Sequence, residues 1–120
     1  MTIKVKRVYE TIRKDDGKRI LVDRVWPRGI SKENLQLDNW LKELAPSTSL
    51  RKWFQHDPDK YQTFKQKYQT ELKEDSEKQE ALKELKDVIR SNDNVTLLYA
   101  AKDEQHNQAL VLKEELENIN

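Results

Sequence analysis

Val95-Thr96-Leu97-Leu98-Tyr99-Ala100-Ala101 is an uncharged run of β-branched, aliphatic, aromatic and small side chains. A strand with one wet face alternates apolar and polar residues. A run apolar on both faces belongs in the middle of a sheet covered on each side, as in α/β proteins. The rest of the chain supplies the cover. Upstream, Ala81/Leu82, Leu85 and Val88/Ile89 recur at helical spacing and stop near Ser91-Asn92, and before them Tyr61, Phe64, Tyr68 and Leu72 form a similar stripe. That aromatic stripe reads as core and not as a base-stacking platform. Asp57-Pro58 is a helix entry, with Asp57 as N-cap and Pro58 at the first helical position. Pro46-Ser47 opens a shorter helix carrying Leu50, Trp53 and Phe54. Downstream, Asp103 reads as the cap of a last helix whose core side is Ala109, Leu112, Leu116 and Ile119.

The remaining strands lie at the start. Ile3, Val5 and Val8-Tyr9 are interleaved with Lys4, Lys6 and Arg7, and Asp15-Asp16-Gly17 is turn chemistry. Ile20-Leu21-Val22 is expected to continue through Asp23-Arg24 to Val25-Trp26, as one strand ended by Pro27 and Gly29. Ser31 can cap a short helix over Lys32–Leu35, while Leu37–Leu44 fits a helical face and a strand equally well. Strands at both ends with helices between predict a single small layered α/β domain over residues 1–120. Its sheet should be mostly parallel or mixed and flanked by helices.

Composition narrows the function classes. Apolar residues are 35% and charged residues 38% of the 120, but Leu, Ile, Val and Phe still number 29 and the net charge is +1, so the chain folds around a lean core. There is no Cys, which excludes disulfides, thiolate metal sites and cysteine nucleophiles. No apolar run approaches the roughly 18 residues of a membrane span, and the first residues lack the apolar core of a signal peptide. A cytoplasmic protein is therefore expected. Charge is unevenly placed: residues 1–30 carry +5, residues 31–70 +2 and residues 71–120 −6. The basic end is where an anion would be drawn. A sequence pI near 7.9 argues against nucleic acid as partner, since such domains usually exceed about 9.

In open α/β sheets ligands sit beyond the carboxyl ends of the strands. One such end carries Arg24, Trp26 and Arg28, two guanidinium forks and an indole beside the stiff Pro27, which suits a phosphate or carboxylate on a planar or sugar-like body. An Arg at a strand end also commonly just pairs with a neighbouring carboxylate. The other end runs from Tyr99 through Ala100-Ala101, small enough for close approach, to Asp103 and Asn107. Asp103 is a helix cap or an acid, and Asn107 faces the crevice or solvent. Lys42, Arg51, Trp53 and His56 form a third group. His56 is the candidate general acid/base, because imidazole titrates near neutrality; packing beside the Asp57 cap is its other reading. The two histidines have no third partner at metal-ligand spacing, so no metal is expected. Gly17 and Gly29 alone build no phosphate loop, and no cofactor is specified.

Leu21-Val22-Asp23-Arg24-Val25-Trp26-Pro27-Arg28-Gly29, Trp40 through Ser47, Leu50-Arg51-Lys52-Trp53-Phe54, His56-Asp57-Pro58 and Leu97 through Asp103 together resemble the domain-of-unknown-function 488 family, in its YeaO-like branch. The resemblance runs over nearly the whole chain and implies a small bacterial α/β protein without an established activity. It singles out Arg7, Asp23, Arg24, Arg28, Lys42, Arg51, His56, Asp57, Asp103 and Asn107, with Trp26, Trp53 and Tyr99, as the family's characteristic positions. Other branches carry cysteine and histidine after the last strand. Here that stretch is Glu104-Gln105-His106-Asn107, so thiol chemistry does not transfer.

Two functions compete for these residues. In one, the chain is a cofactor-free transferase or hydrolase acting on a small anionic molecule, phosphorylated or nucleotide-like. Arg24, Arg28, Lys42 and Arg51 would bind the anion, Trp26 or Trp53 would pack on its body, Tyr99 and Asn107 would line the site, and His56 or Asp103 would move a proton. In the other, the same pocket binds without reacting, as a regulatory module. A monomer is expected, or a homodimer through Trp40 or Trp53 if either indole is exposed.

Overall fold

The computed structural model describes residues 2–117. Four strands, β1 (Thr2–Arg7), β2 (Lys18–Leu21), β3 (Asn39–Trp40) and β4 (Asn94–Tyr99), form one sheet in the order β1-β4-β2-β3. Every pairing is parallel. Val5 and Ile20 both sit opposite Leu97 on β4, and Leu21 also pairs with Trp40 on β3. The uncharged run is thus one of the sheet's two inner strands, buried from Val95 to Tyr99.

Strand alternation sends Ile3, Ile20, Val95, Leu97 and Tyr99 to one face, where they meet α2 (Thr48–Phe54), α3 (Tyr61–Glu74), α4 (Ser76–Ser91) and α5 (Gln108–Glu117) through Phe54, Phe64, Tyr68, Leu85, Ile89 and Leu112. The opposite face carries a smaller cluster of Leu21 and Leu98 with Val8 and with Leu35 of α1 (Lys32–Leu35). The caps read from sequence are mostly in place. Ser31 Oγ accepts the Asn34 N–H at 3.1 Å, Ser47 Oγ that of Leu50 at 3.1 Å, and Asp57 Oδ1 that of Asp59 at 3.0 Å. Leu37–Leu44 contains both structures it left open, with Asn39–Trp40 a strand and Lys42–Leu44 a 3₁₀ turn.

Two expectations are corrected. The strand expected to reach Trp26 ends at Leu21. Val22 still donates to Leu98, but the next N–H of the β4 segment, that of Ala100, is taken by the Asp23 carboxylate in place of a backbone carbonyl. With β3 only two residues long there is no ladder on the other side to hold Val25, which lies 66% exposed. The last helix begins at Gln108, and its cap is Asn107, whose Oδ1 accepts the Leu110 N–H at 3.1 Å. Asp103 instead closes a separate turn, accepting from the N–H groups of Gln105 and His106. Ile119, expected on the core side of this helix, lies outside the described residues.

The β1–β2 connection crosses the small-cluster face and is anchored by Asp16, which is 1% exposed. Its carboxylate accepts from Lys6 Nζ at 2.9 and 3.0 Å, Arg19 Nη1 at 2.6 Å and the Arg13 N–H at 3.2 Å, while its carbonyl accepts the Thr96 hydroxyl at 2.8 Å. Arg19 in turn donates to the Leu35 carbonyl from Nε and Nη2, at 3.2 and 3.0 Å. Gly17 then turns the chain into β2 with φ +63°, where a Cβ would stand 2.0 Å from the Asn94 carbonyl oxygen. Burial alone would raise the Asp16 carboxyl, but Lys6, the Arg13 N–H and Arg19 outweigh it and hold it below the ordinary carboxylate range.

Three substitutions probe this frame. Asp16→Ala removes the acid from a buried cluster and leaves Lys6 and Arg19 uncompensated, so urea unfolding at neutral pH should show a loss of about 3–5 kcal/mol. Because the folded-state carboxyl is held low, its contribution is present above about pH 4 and fades as pH falls through its folded value. The Asp16→Asn chain should therefore lose less of its remaining stability than wild type between neutral and strongly acid pH. At the end of α2, Gln55 (φ 48°) and His56 (φ 56°) occupy the left-handed region in succession. Gln55→Gly should raise stability by about 0.5–1 kcal/mol in the same assay, the relieved strain exceeding glycine's entropic cost.

Candidate functional site

Because the sheet is wholly parallel, all four carboxyl ends point the same way, and segments leaving them wall a cavity of about 410 Å³. Tyr9 follows β1, the Asp23–Arg28 loop follows β2, Ala45 and Pro46 follow β3, and Ala100 and Ala101 follow β4. Arg51, Phe54 and His56 come from α2 and its end, Phe64 from α3 and Gln108 from the start of α5. This volume falls within the roughly 300–1,000 Å³ of small-molecule sites.

The Asp23–Ile30 loop, which carries most of the polar lining, is tied down at several points. The Trp26 indole N–H donates to the Ile30 carbonyl at 2.8 Å, the Trp40 indole to the Asp23 carbonyl at 2.7 Å, and the Tyr9 hydroxyl to the Arg28 carbonyl at 2.8 Å. Trp26 and Trp40 meet edge to face, with ring centroids 5.5 Å apart. Proline and these three aromatic donors do the work that a β ladder would otherwise do. Arg7 closes the neighbouring edge, donating from Nε to the Ala101 carbonyl at 2.9 Å and from Nη2 to that of Ala100 at 3.2 Å.

The cavity's charge is mostly positive. Arg24 and Arg28 are exposed at its rim, and among the described residues neither guanidinium forms a salt bridge. Arg51 is oriented by neutral acceptors, the Pro46 carbonyl at 3.2 Å and Thr48 Oγ1 at 3.1 Å. His56 joins them from a left-handed backbone position. Against these stands Asp23, whose carboxylate accepts the Ala100 N–H at 2.9 Å on one oxygen and the Gln108 amide on the other. Burial pushes the Asp23 carboxyl above its ordinary range, against those hydrogen bonds and the attraction of His56 and Arg51.

Of the site residues expected from sequence, the fold brings Arg24, Trp26, Arg28, Arg51 and His56 together around this cavity. The others go elsewhere. Lys42 is exposed, with its ammonium 5.5 Å from the Trp40 ring. Trp53 is 36% exposed on α2, under the ammonium groups of Lys60 at 5.1 Å and Lys67 at 4.4 Å. Tyr99 is buried in the main core, and Asn107 is a buried cap. Asp103 pairs with His106 Nδ1 at 2.9 Å, beside the Tyr61 ring and away from the cavity lining. Gln108 and Tyr9 also line the cavity and were not expected from the sequence, while Asp23 was singled out by the family resemblance without a role. Asp23 had a signal, as an acid at the end of a strand; Gln108 and Tyr9 are ordinary surface residue types with none. Among the described residues no three His, Asp or Glu side chains gather closely enough to hold a metal ion, and no helix is long and apolar enough to cross a membrane.

Comparison with known proteins places this cavity in a family context. The chain is 47% identical over 119 residues to the uncharacterized protein YeaO of Escherichia coli, covering 99% of this chain and all of that one. It is 40% identical over 110 residues to an uncharacterized protein of Mycobacterium tuberculosis, covering 92% of this chain and 89% of its relative. No solved structure matches it significantly. The family profile described as "Inactive DUF488-N3 subclade" matches residues 2–119, and the chain, with its parallel α/β sheet, belongs to that family.

Proposed function

We propose that the chain is a non-catalytic binding module whose cavity takes a small anionic molecule, phosphorylated or carboxylated, with a planar or apolar body. The observation that carries this reading is the convergence of Arg24 and Arg28, from the loop after β2, and Arg51, from α2, on one cavity without an acidic salt-bridge partner for any of them among the described residues. Guanidinium forks are suited to phosphate and carboxylate oxygens, and Trp26 with Phe54 and Phe64 supplies apolar lining for the ligand's body.

Binding without reaction is favoured over transfer or hydrolysis on three grounds. The subclade is described as inactive. The two proton-moving candidates also part company, since His56 lines the cavity while Asp103 is engaged with His106. No Cys exists to act as nucleophile.

A thermal-shift screen against phosphate, nucleotides, sugar phosphates and small carboxylates tests the reading. A ligand at about a hundred times its Kd should stabilise the fold by about 2.7 kcal/mol. The shift should vanish in the Arg24→Ala/Arg28→Ala double variant, and chromatography after prolonged incubation should return the ligand unaltered. A panel without any shift would sink the anion pocket, and conversion of the ligand would restore the enzymatic alternative.

A further inference from the structure

The anion-binding reading uses the cationic side of the cavity and leaves its acidic pole idle. Asp23 contributes to the lining, and both its carboxylate oxygens already accept one neutral N–H, from Ala100 and from Gln108. An ionised carboxylate offers about four acceptor positions, so two remain open. With three arginines and a histidine around the same cavity, the expected outcome is that one of them closes on it. None does. Arg51 gives Nε to the Pro46 carbonyl and Nη2 to Thr48, leaving other N–H groups of its guanidinium for a ligand, and among the described residues no Lys, Arg or His forms an ion pair with Asp23. Acid and bases thus line one cavity without neutralising each other.

The loop geometry keeps them apart. Asp23 is turned toward β4 and α5 by its bonds to Ala100 and Gln108, while Arg24 and Arg28 reach the exposed rim from a loop pinned by Trp26, Trp40 and Tyr9. A partly buried carboxylate with open acceptor positions takes its remaining hydrogen bonds from solvent, or from a donor on a ligand that fills the cavity.

We infer that the ligand is two-ended, with an anionic group held by Arg24, Arg28 and Arg51 and a hydrogen-bond donor, best a protonated amine, delivered to Asp23. This rests on the anion-binding reading and narrows it to amphoteric or hydroxylated small-molecule anions. Trp26, Pro27, Phe54 and Phe64 provide apolar lining for the carbon body that joins the two ends. A plain alkyl anion would fill the cavity and displace water from Asp23 without replacing its hydrogen bonds, which is a loss.

Calorimetric titration with matched pairs tests this, using ω-aminoalkyl phosphonates of two to five carbons against alkyl phosphonates of equal length. In the wild type, the aminated member should bind about tenfold or more tightly at one length or more, despite its lower net negative charge. In Asp23→Asn the pair should fall within about twofold, with the alkyl phosphonate bound at least as tightly as by wild type because a negative charge has left the cavity. Preference for the amine that survives in Asp23→Asn overturns the assignment to Asp23. Equal binding of the pair in wild type at every length overturns the donor subsite and leaves the anion pocket standing, provided both ligands are lost in Arg24→Ala/Arg28→Ala. Absence of binding by either ligand overturns both readings. If Asp23→Asn does not fold by circular dichroism, Asp23→Glu carries the test: the longer side chain should move the preferred chain length of the aminated ligand, and an unchanged preference overturns the assignment to Asp23.

Discussion

The buried carboxylate of Asp16 is the constraint on which the sheet depends. A parallel pair of strands needs a connection that travels back the length of the sheet, and between β1 and β2 this is done by a short segment with almost no helix. Such a segment has few apolar side chains to hold it down, so polar bonds must. One carboxylate binds Lys6 on β1 and Arg19 on β2, its carbonyl binds Thr96 on the strand between them, and Arg19 extends the tie to α1. Three strands and a helix are thereby held in register around one acid. Buried charge of this kind is costly to assemble and more costly to break, and here every partner is satisfied.

That arrangement also explains what the basic N-terminal third of the chain is for. The excess of +5 over residues 1–30 is not spread evenly over a surface. Lys4, Lys6, Lys18 and Arg19 are answered by Asp15, Asp16 and Asp38, on the β1–β2 connection or beside it. Arg24 and Arg28, at the carboxyl end of the sheet, form no such pair among the described residues. The same compositional bias therefore does two different jobs. Cations on β1 and β2 tie down the connection and its neighbours, and Arg24 and Arg28 remain at the cavity rim.

Much of this was legible in the residues themselves, and the failures share a cause. The inner strand, the stripes of α3 and α4, and the caps at Ser31, Ser47 and Asp57 are local signals, set by periodicity or by side chains bonding within a turn. Val22–Trp26 also carries a strong local signal, but a strand needs a partner, and the brevity of β3 and the side chain of Asp23 remove it. Asp103 and Asn107 are both good caps by type, and the choice between them was made by where α5 must start to bury Ala109, Val111 and Leu112. Arg24, Trp26 and Arg28 reached the cavity although the strand expected to carry them does not exist, because strand end and loop emerge at the same edge. Trp53 and Tyr99 were chosen as aromatic residues near candidate polar ones. Which face of α2 or β4 they occupy depends on packing that no short window of sequence contains.

The order β1-β4-β2-β3 has a bearing on how the chain is made. The inner strand that joins β1 to β2 is the last to be synthesised, and its partners were made long before it. On the ribosome, β1 and β2 have no bridge between them until residues 94–99 emerge, so the nascent chain must carry two unpaired strand edges through most of its synthesis. Helices α3 and α4 can form meanwhile from local contacts, but their apolar stripes wait for the same sheet face. Sheet closure is therefore a late, long-range event, the kind that topology makes slow. The lysines on β1 and the charged turn after it keep the waiting edge soluble. Ala100, Ala101 and Gln108 complete the cavity wall only after β4 has docked, so the cavity and the finished fold arrive together.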